Sequence, residues 1–242
     1  MTPVEQGDSK GATLMDAEAA EHAHHKLMPG DWPADAHYGT ATSGKIGMWI
    51  FLLSDALTFA GLLLAYAILR GGSARWIPEG APILGLKFTA VLTFLLICSS
   101  VTMVLAFAAA VERDRKATVK FLCLTILGGL LFLCGQFKEY FGIEWLGHLV
   151  GGNIGEQIAT GLTDEGLIFG KSHYATTFYL ITSFHGAHVF SGCTYLTVIM
   201  IRTAMGKYDD GNYNHVEIVG LFWHFVDLIW ILVFTFVYLI PK

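Results

Sequence analysis

Apolar residues fall into five long, unbroken runs along the chain, and polar stretches separate these runs. Each run has the roughly 20 residues that an α-helix needs to cross a hydrocarbon core about 30 Å thick. The runs do not alternate between apolar and polar positions as the strands of a membrane barrel do, so we expect helices. The predicted spans are Ile46–Leu69, Phe88–Val111, Val119–Phe137, Thr176–Ile201 and Val216–Ile240.

The composition agrees with a chain embedded in a membrane. Of its 242 residues, 54% are hydrophobic and 14% are charged, whereas a soluble domain carries about 25% charged residues. The mean hydropathy is +0.53. These values exclude a cytosolic enzyme, a nucleic-acid-binding protein and a disordered protein, and the net charge of −5 provides no basic face for nucleic acid. We therefore predict an all-α integral membrane protein.

The first 44 residues are polar and contain four of the ten histidines. No positively charged segment leads into an apolar core there, so a cleaved signal peptide is not indicated. The histidine cluster at residues 21–25 could bind a metal ion, but no rigid partner ligands lie nearby in the sequence. We interpret residues 1–44 as a flexible cytoplasmic tail and residues 45–242 as the membrane domain.

Four cysteines lie within the apolar runs, and no two of them form a CxxC pair. This arrangement favours free thiols buried in helices over a disulfide or a zinc site. The four are Cys98, Cys123, Cys134 and Cys193.

Basic residues predict the orientation of the helices. Nine of the fifteen Lys and Arg residues fall in the tail, the loop between the second and third spans, and the loop between the fourth and fifth spans. The short segment 113–116 holds three of them, and such clusters lie on the cytoplasmic side under the positive-inside rule. We predict a cytoplasmic N-terminus, an external C-terminus and an external loop over residues 141–175.

Ionisable residues inside the spans are candidates for function, because each costs about 2.5–3.5 kcal/mol at a helix centre on insertion scales. Asp55 lies near the middle of the first span, so we expect its carboxyl to be protonated or to face a partner or a cavity. It could exchange a proton, contact a lipid headgroup or form a packing hydrogen bond. Glu139 shares a helix face with Gln136 and Tyr140 near the end of the third span. Anchoring at the membrane interface is the favoured interpretation of these three residues.

The fourth span carries two histidines, His185 and His188, on one face. Two histidines at this spacing can bind one metal ion, contact one lipid phosphate or hydrogen-bond a neighbouring helix. Gly186 and Gly192 would let another backbone approach closely.

The fifth span carries a polar stripe in which Glu217, His224 and Asp227 lie within an arc of roughly 80°. His224 and Asp227 are three residues apart and could pair with each other. Trp223 and Trp230 mark a second face of the same helix. A polar stripe of this kind must meet protein or a cavity rather than lipid tails.

Three hypotheses follow from the residues alone. The chain could be an accessory subunit whose polar faces bind a partner or structural lipids. It could be a metal or heme enzyme that uses His185, His188 and His224, although no HxxxH spacing or matched second pair supports this. It could be a small transporter with Asp55 and Asp227 on its path, although no inverted repeat and no Gly/Pro-broken helix is present. The periodicity favours the accessory subunit.

Four segments resemble subunit III of the heme-copper oxidases. The most specific is Phe222–Trp230, with the sequence FWHFVDLIW, which resembles the C-terminal signature of that family. Three other segments are similar to family motifs in the same order: Gly47–Asp55, Gln136–Tyr140 and Phe184–Gly192. The resemblance covers about residues 45–240.

The resemblance implies a fold and a role. It implies the five-span bacterial form of the subunit, with the first two helices in one group and the last three in another, around a V-shaped cleft that holds phospholipids. The subunit would lie in the bacterial cytoplasmic membrane and pack against subunit I, which reduces oxygen to water and pumps protons. Subunit II and the other subunits of the complex would be its further partners. It would hold no heme or copper and no catalytic residue, and it would support subunit I stability and proton uptake.

The resemblance also implies roles for particular side chains. Cytochrome c is the favoured electron donor of the complex, and quinol is the alternative. The aspartate at position 55 slightly favours quinol, because the quinol-oxidase members of the family have aspartate there. A stand-alone metal enzyme or a transporter is less favoured. The residues expected to be proton-linked or to bind lipid are Asp55, Glu139, His185 and His188. Those expected to pack helices and support assembly are Gly186, Gly192, Trp223, His224, Asp227 and Trp230.

Overall fold

A computed structural model describes residues 42–77, 85–142, 159–164, 166–208 and 213–240. The chain divides into two compact units, residues 1–47 and residues 48–242. The described part of the first unit is residues 42–47, where the first helix begins. The histidine cluster at residues 21–25 lies outside the described residues.

Five helices in the described residues are long and apolar enough to cross a membrane, as the sequence predicts. The last of them widens at its end into a π-helical segment, Phe234–Leu239. The helices are α1 Ser43–Gly71, α2 Leu86–Val111, α3 Arg115–Phe141, α4 His173–Ala204 and α5 Asn214–Val233. All four cysteines are free thiols within helices, but only Cys193 is buried, so the expected burial of the other three is wrong.

The helices extend beyond the predicted apolar runs because polar residues cap them. The Asp114 side chain accepts a hydrogen bond from the backbone N–H of Ala117 at 3.0 Å and begins α3. Ser172 begins α4 in the same way, accepting from the N–H of Ala175 at 3.0 Å. Between α2 and α3, Arg113 takes a left-handed conformation with φ of 62°. These caps lie outside the apolar pattern, which is why the pattern alone places the ends of α3 and α4 several residues too far inward.

Helices α2, α3, α4 and α5 pack around one another, and α2 has two of them as neighbours. It approaches α3 closely along its length and also packs against α5, while α4 packs against both α3 and α5. Small residues allow these contacts. A Cβ atom on Gly128 would lie only 2.7 Å from the Cβ of Ser99, so α2 and α3 meet there almost backbone to backbone.

The described contacts of α1 lie on α4 and α5, and the expected grouping of α1 with α2 stays a prediction. In the described residues α2 packs with α3 and α5, and α1 makes its ring contacts with α4 and α5. The Phe59 ring lies 5.0 Å from the ring of Phe184 on α4, and the Phe51 ring lies 6.2 Å from that of Phe222 on α5.

The described parts of the loop after α3 fold back onto the end of that helix. The backbone N–H of Leu162 donates to the carbonyl oxygen of Glu139 at 2.9 Å, and the Thr163 hydroxyl donates to the carbonyl oxygen of Tyr140 at 2.8 Å. Gly142 ends α3 with φ of 65° and packs against the backbone of Ala159, where no side chain would fit. Residues 161–163 therefore lie against the end of α3 that carries Glu139.

Candidate functional site

Asp55 and His188 form a pair that joins α1 to α4. His188 Nε2 lies 3.2 Å from Asp55 Oδ1. The Phe184 and Phe59 rings lie 4.7 Å and 5.3 Å from the imidazole and shield it. Oδ2 of Asp55 is buried and has no partner among the described residues. The carboxylate that the sequence places in the middle of a span thus faces a partner on another helix.

The atoms around His188 determine how many protons the pair holds. Nδ1 lies 2.8 Å from the carbonyl oxygen of Phe184, which can only accept a hydrogen bond, so Nδ1 carries a proton. The contact between Nε2 and Asp55 Oδ1 then requires one further proton, on the imidazole or on the carboxyl. The pair shares this single proton and has no net charge in either arrangement.

His185 does not share a ligand with His188. Its imidazole is fully buried, 4.8 Å from the Trp230 ring and 5.7 Å from the Phe132 ring. Neither ring nitrogen has a hydrogen-bond partner among the described residues. Two side chains three residues apart on a helix differ in direction by about 60° around the helix axis. The two histidines therefore have different nearest neighbours. Both imidazoles also lie near the Phe59 ring, at 6.4 Å for His185 and 5.3 Å for His188, and the proton-linked or lipid-binding role of His185 stays a prediction.

Glu139 is a second buried carboxyl, and it joins three helices. Its Oε1 accepts a hydrogen bond from the Thr89 hydroxyl on α2 at 3.1 Å, and its Oε2 accepts one from the Tyr238 hydroxyl at 3.1 Å. Only 6% of Glu139 is exposed. Its carboxyl therefore bonds hydroxyl groups inside the bundle, and its proton-linked or lipid-binding role stays a prediction.

The π-helical segment brings Tyr238 to this carboxyl. Its wider turns shift the side chains that follow relative to an ordinary α-helix. Tyr238 becomes buried, with its ring 5.6 Å from that of Phe178 on α4. The C-terminal end of the fifth span is thereby fixed against both α3 and α4.

Gln136 and Tyr140 connect α3 to α4. Gln136 Nε2 donates to the carbonyl oxygen of Thr182 at 3.2 Å, and the Tyr140 hydroxyl donates to the Thr182 hydroxyl at 2.7 Å. Gln136 is almost fully buried. Anchoring at the membrane interface, the favoured interpretation of this cluster, is therefore wrong: these side chains join two helices inside the bundle.

Both tryptophans of the fifth span are buried and bonded to hydroxyl groups on α2. Trp223 Nε1 donates to Ser99 Oγ at 3.2 Å, and Trp230 Nε1 donates to Thr93 Oγ1 at 2.9 Å. The sequence reasoning missed these α2 hydroxyls. Their spacing was the available signal, because Thr89 and Thr93 lie one turn apart on one face of an otherwise apolar helix.

The sequence suggests that His224 and Asp227 could pair, but in the structure they do not bond to each other. Nδ1 of His224 lies 3.2 Å from Ser100 Oγ on α2, and the Asp227 carboxyl lies beside the same serine. The polar stripe of α5 therefore meets a hydroxyl on a neighbouring helix, which can serve both groups at once. Oδ1 of Asp227 is buried without a partner among the described residues.

Removing this shared hydroxyl tests the bridge. Ser100→Ala should lower the free energy of unfolding by about 1 kcal/mol, since it takes a partner from two half-buried polar side chains. The measurement is the thermal unfolding temperature of the chain in detergent. Ser73→Ala is the matched control, because the Ser73 hydroxyl is exposed and bonds only the carbonyl oxygen of Leu69. Equal unfolding temperatures for the two variants would contradict the bridge.

The two predicted packing glycines accept side chains rather than a neighbouring backbone. Gly192 lies under the Trp223 ring, where a Cβ atom would be 3.0 Å from Cε3. A Cβ atom on Gly186 would lie 3.3 Å from Gln136 Oε1. A tighter contact, which the sequence reasoning missed, lies at Gly129, where a Cβ atom would be 2.5 Å from Trp223 Cη2 and 2.6 Å from Cys193 Sγ. The Trp223 ring is thus enclosed between two glycines.

A groove of about 460 Å³ lies between the C-terminal half of α1 and the π-helical segment. Its walls are apolar, with Leu63, Leu64 and Phe236 among them, and Tyr66 and Arg70 add polar atoms at one end. The combination suits an acyl chain with a polar head.

Most of the polar side chains described above form hydrogen bonds with other groups of the bundle. In the part of the chain that the structure describes, no three His, Cys, Asp or Glu side chains lie close enough together to hold a metal ion. The arrangement can hold a proton at Asp55 and His188 and can fix the helices through hydroxyl groups.

Comparisons with known proteins point to one family. The sequence model of the family described as cytochrome c oxidase subunit III matches residues 22–147 and 156–241. The chain is 34% identical over 213 residues to a cytochrome c oxidase subunit 3 of Synechocystis, covering 88% of this chain and 81% of that protein. It is 33% identical to the corresponding protein of Corynebacterium diphtheriae, covering 81% and 87%. It is 29% identical to a cytochrome bo(3) ubiquinol oxidase subunit 3 of Pseudomonas putida, covering 81% and 84%.

Proposed function

This chain belongs to the cytochrome c oxidase subunit III family, and from that membership we propose that it is a non-catalytic subunit that holds subunit I in its working state. As a family member it is a multi-pass membrane protein and a subunit of a terminal oxidase, an oxidoreductase complex of the respiratory chain. The heme and copper of the complex would belong to its partners, subunits I and II.

The Asp55–His188 pair carries this proposal. It places one shared proton inside the membrane, between two helices, with the second carboxyl oxygen of Asp55 without a partner among the described residues. Because the pair is neutral while it holds this proton, it brings no unpaired charge into lipid, and it stays neutral on passing the proton on only if another proton arrives at the same time. We assign the pair a proton-linked role that supports proton uptake by the complex.

Phospholipid binding is the second part of the proposal. The groove between α1 and the π-helical segment has an apolar lining that suits acyl chains, and Arg70 lies at one end of it. Bound lipid would fill the space beside α1, which contacts its neighbours through a few large rings. The V-shaped cleft between the first two helices and the last three stays a prediction.

The favoured electron donor is cytochrome c, because the relatives in Synechocystis and Corynebacterium diphtheriae carry that name. The ubiquinol oxidase relative keeps quinol as the alternative. The complex would lie in the bacterial cytoplasmic membrane, with the N-terminus of this chain inside and its C-terminus outside.

The proton-linked role predicts a specific defect. Asp55→Asn should leave assembly intact, since asparagine can still hydrogen-bond His188 Nε2, but it should slow proton uptake or shorten the working life of the oxidase. Turnover of the purified complex is followed over time, together with proton uptake in vesicles. Glu112→Gln is the control, because that carboxyl is exposed and lies outside the spans. Unchanged turnover and unchanged inactivation in Asp55→Asn would refute the role.

Purification of the tagged chain in mild detergent tests the accessory role itself. Heme absorption bands together with a large multi-span partner, and a colourless chain once separated, are the expected result. A chain that purifies alone with its own heme or metal would overturn it. Oxygen consumption with reduced cytochrome c or with quinol then identifies the donor.

A further inference from the structure

A polar cluster reaches the outer surface of the bundle between α5 and α2. It consists of His224 and Asp227 on α5 and Ser100 on α2. Asp227 lies at the middle of the span Asn214–Leu239, and Ser100 lies near the middle of the span Leu86–Val111. The cluster therefore lies at the depth of the bilayer centre, where neither bulk water nor a lipid headgroup is present.

The imidazole of His224 is only partly buried. Leu228, one turn further along α5, and Ile231 beyond it are exposed apolar side chains on the same face. Nε2 of His224 has no hydrogen-bond partner among the described residues, and it is not one of their enclosed polar atoms. This nitrogen therefore opens onto the outer surface of the bundle.

The hydrogen bonds inside the cluster determine what Nε2 can offer. Ser100 Oγ lies 3.2 Å from Nδ1 of His224 and also bonds the Asp227 carboxyl. The hydroxyl has one proton, so it donates to one of these two groups and accepts from the other. If it accepts from a protonated Asp227 and donates to Nδ1, the proton of the neutral imidazole is on Nε2. If it donates to an ionised Asp227 and accepts from Nδ1, the cluster is neutral only when Nε2 is protonated as well.

A third neutral arrangement leaves a buried group unsatisfied. It would place the carboxyl proton on Asp227 Oδ1, which is buried and has no partner in the described part of the chain. A buried hydroxyl without an acceptor is costly, and a cluster with net charge is costly at this depth. Nε2 of His224 is therefore a hydrogen-bond donor that faces outward.

Acyl chains offer no acceptor for this donor, whereas a neighbouring protein helix does. A carbonyl, hydroxyl, amide or carboxyl oxygen on that helix can accept the proton, and hydrogen bonds of this kind join membrane helices. We propose that the face of α5 around His224 is a contact surface for subunit I, and that Nε2 donates to an oxygen atom on one of its transmembrane helices. Leu228 and Ile231 would supply the apolar contact around this bond. The contact rests on the proposed function, in which the chain holds subunit I in its working state.

Photo-crosslinking in membranes that contain the whole complex tests the surface. With p-benzoylphenylalanine in place of Leu228, we expect a covalent link to subunit I. The same group in place of Leu127 is the matched control, because Leu127 is exposed near the middle of its span but lies on α3. The control should give no link to subunit I. A link from position 228 to a second copy of this chain, no link there, or equal links from both positions would overturn the proposal.

Two substitutions of His224 test the hydrogen bond itself. His224→Asn keeps a polar atom near the position of Nδ1, so the bond with Ser100 can remain, but nothing reaches the position of Nε2. Heme recovered per copy of the tagged chain should fall about fivefold, which corresponds to about 1 kcal/mol. The amount of chain in the membrane should stay unchanged. His224→Gln extends as far as Nε2 and should restore most of the heme.

The outcomes distinguish this surface from the proposed function. A native chain that recovers no heme-bearing subunit would refute the accessory role and the contact with it. Normal recovery by the native chain together with unchanged recovery in His224→Asn would overturn the contact alone. An equal loss of heme in His224→Asn and His224→Gln would also overturn it, because only His224→Asn lacks a donor that reaches outward.

Discussion

Gly129→Val should destabilise the folded chain by about 3 kcal/mol and lower its yield in the membrane. A Cβ atom at this position would lie 2.5 Å from Trp223 Cη2 and 2.6 Å from Cys193 Sγ, and valine adds two more methyl groups. The indole cannot move aside easily, because it is buried and its Nε1 is bonded to Ser99. Overpacking of this kind costs about 1–3 kcal/mol and sometimes more, and we expect the upper end of that range. The yield of monodisperse chain in detergent and its unfolding temperature are the measurements.

Two further variants make the prediction about Gly129 specific. Gly61→Val places the same side chain on α1, where a Cβ atom would meet nothing within 4 Å, so its yield should match that of the native chain. Combining Gly129→Ala with Trp223→Phe removes the ring atoms that clash, so the double variant should be less destabilised than the sum of the two single changes. Strict additivity, or an equal loss in Gly61→Val, would contradict the contact.

Glu139→Ala should produce the second large effect. It removes the acceptor for the Thr89 and Tyr238 hydroxyls, both buried, and leaves a cavity where three helices meet. Each unsatisfied buried group costs about 1–3 kcal/mol, so we expect roughly 2–4 kcal/mol in total. The free energy of unfolding in detergent is the quantity to measure.

Glu139→Gln is the matched variant for that change. Its amide oxygen can accept from one hydroxyl while its amide nitrogen donates to the other, so most of the stability should remain. Tyr238→Phe combined with Glu139→Ala should cost less than the two single changes together, because both break the same bond. If Glu139→Gln were as damaging as Glu139→Ala, the fixed charge rather than the hydrogen-bond geometry would be responsible.

The five helices could be predicted because a run of about 20 apolar residues is strongly favoured in a bilayer whatever its neighbours are. The choice of partners between helices could not. His185 and His188 share one face by spacing, yet the packing directs one to the rings of Trp230 and Phe132 and the other to Asp55. A spacing rule gives the angle between two side chains but not which helix lies opposite each of them.

Hydroxyl groups were the main feature that the sequence did not reveal. Serine and threonine in membrane helices commonly bond their own backbone, as the Thr93 and Ser99 hydroxyls also do here. Nothing local distinguishes them from those that also receive an indole N–H from another helix. The grouping of α1 with α2, which the family resemblance implies, stays a prediction. The orientation and the roles of residues 1–44 stay predictions.

The short turn between α2 and α3 has a consequence for how the chain is made. Glu112, Arg113 and Asp114 are the residues between the two helices, so the second and third spans can enter the bilayer together as a helical hairpin. Their contacts, such as the Thr102 and Thr125 hydroxyls 2.8 Å apart, involve no later part of the chain. This pair can therefore be in place while the ribosome is still synthesising α5, whose tryptophans then dock onto a surface already formed.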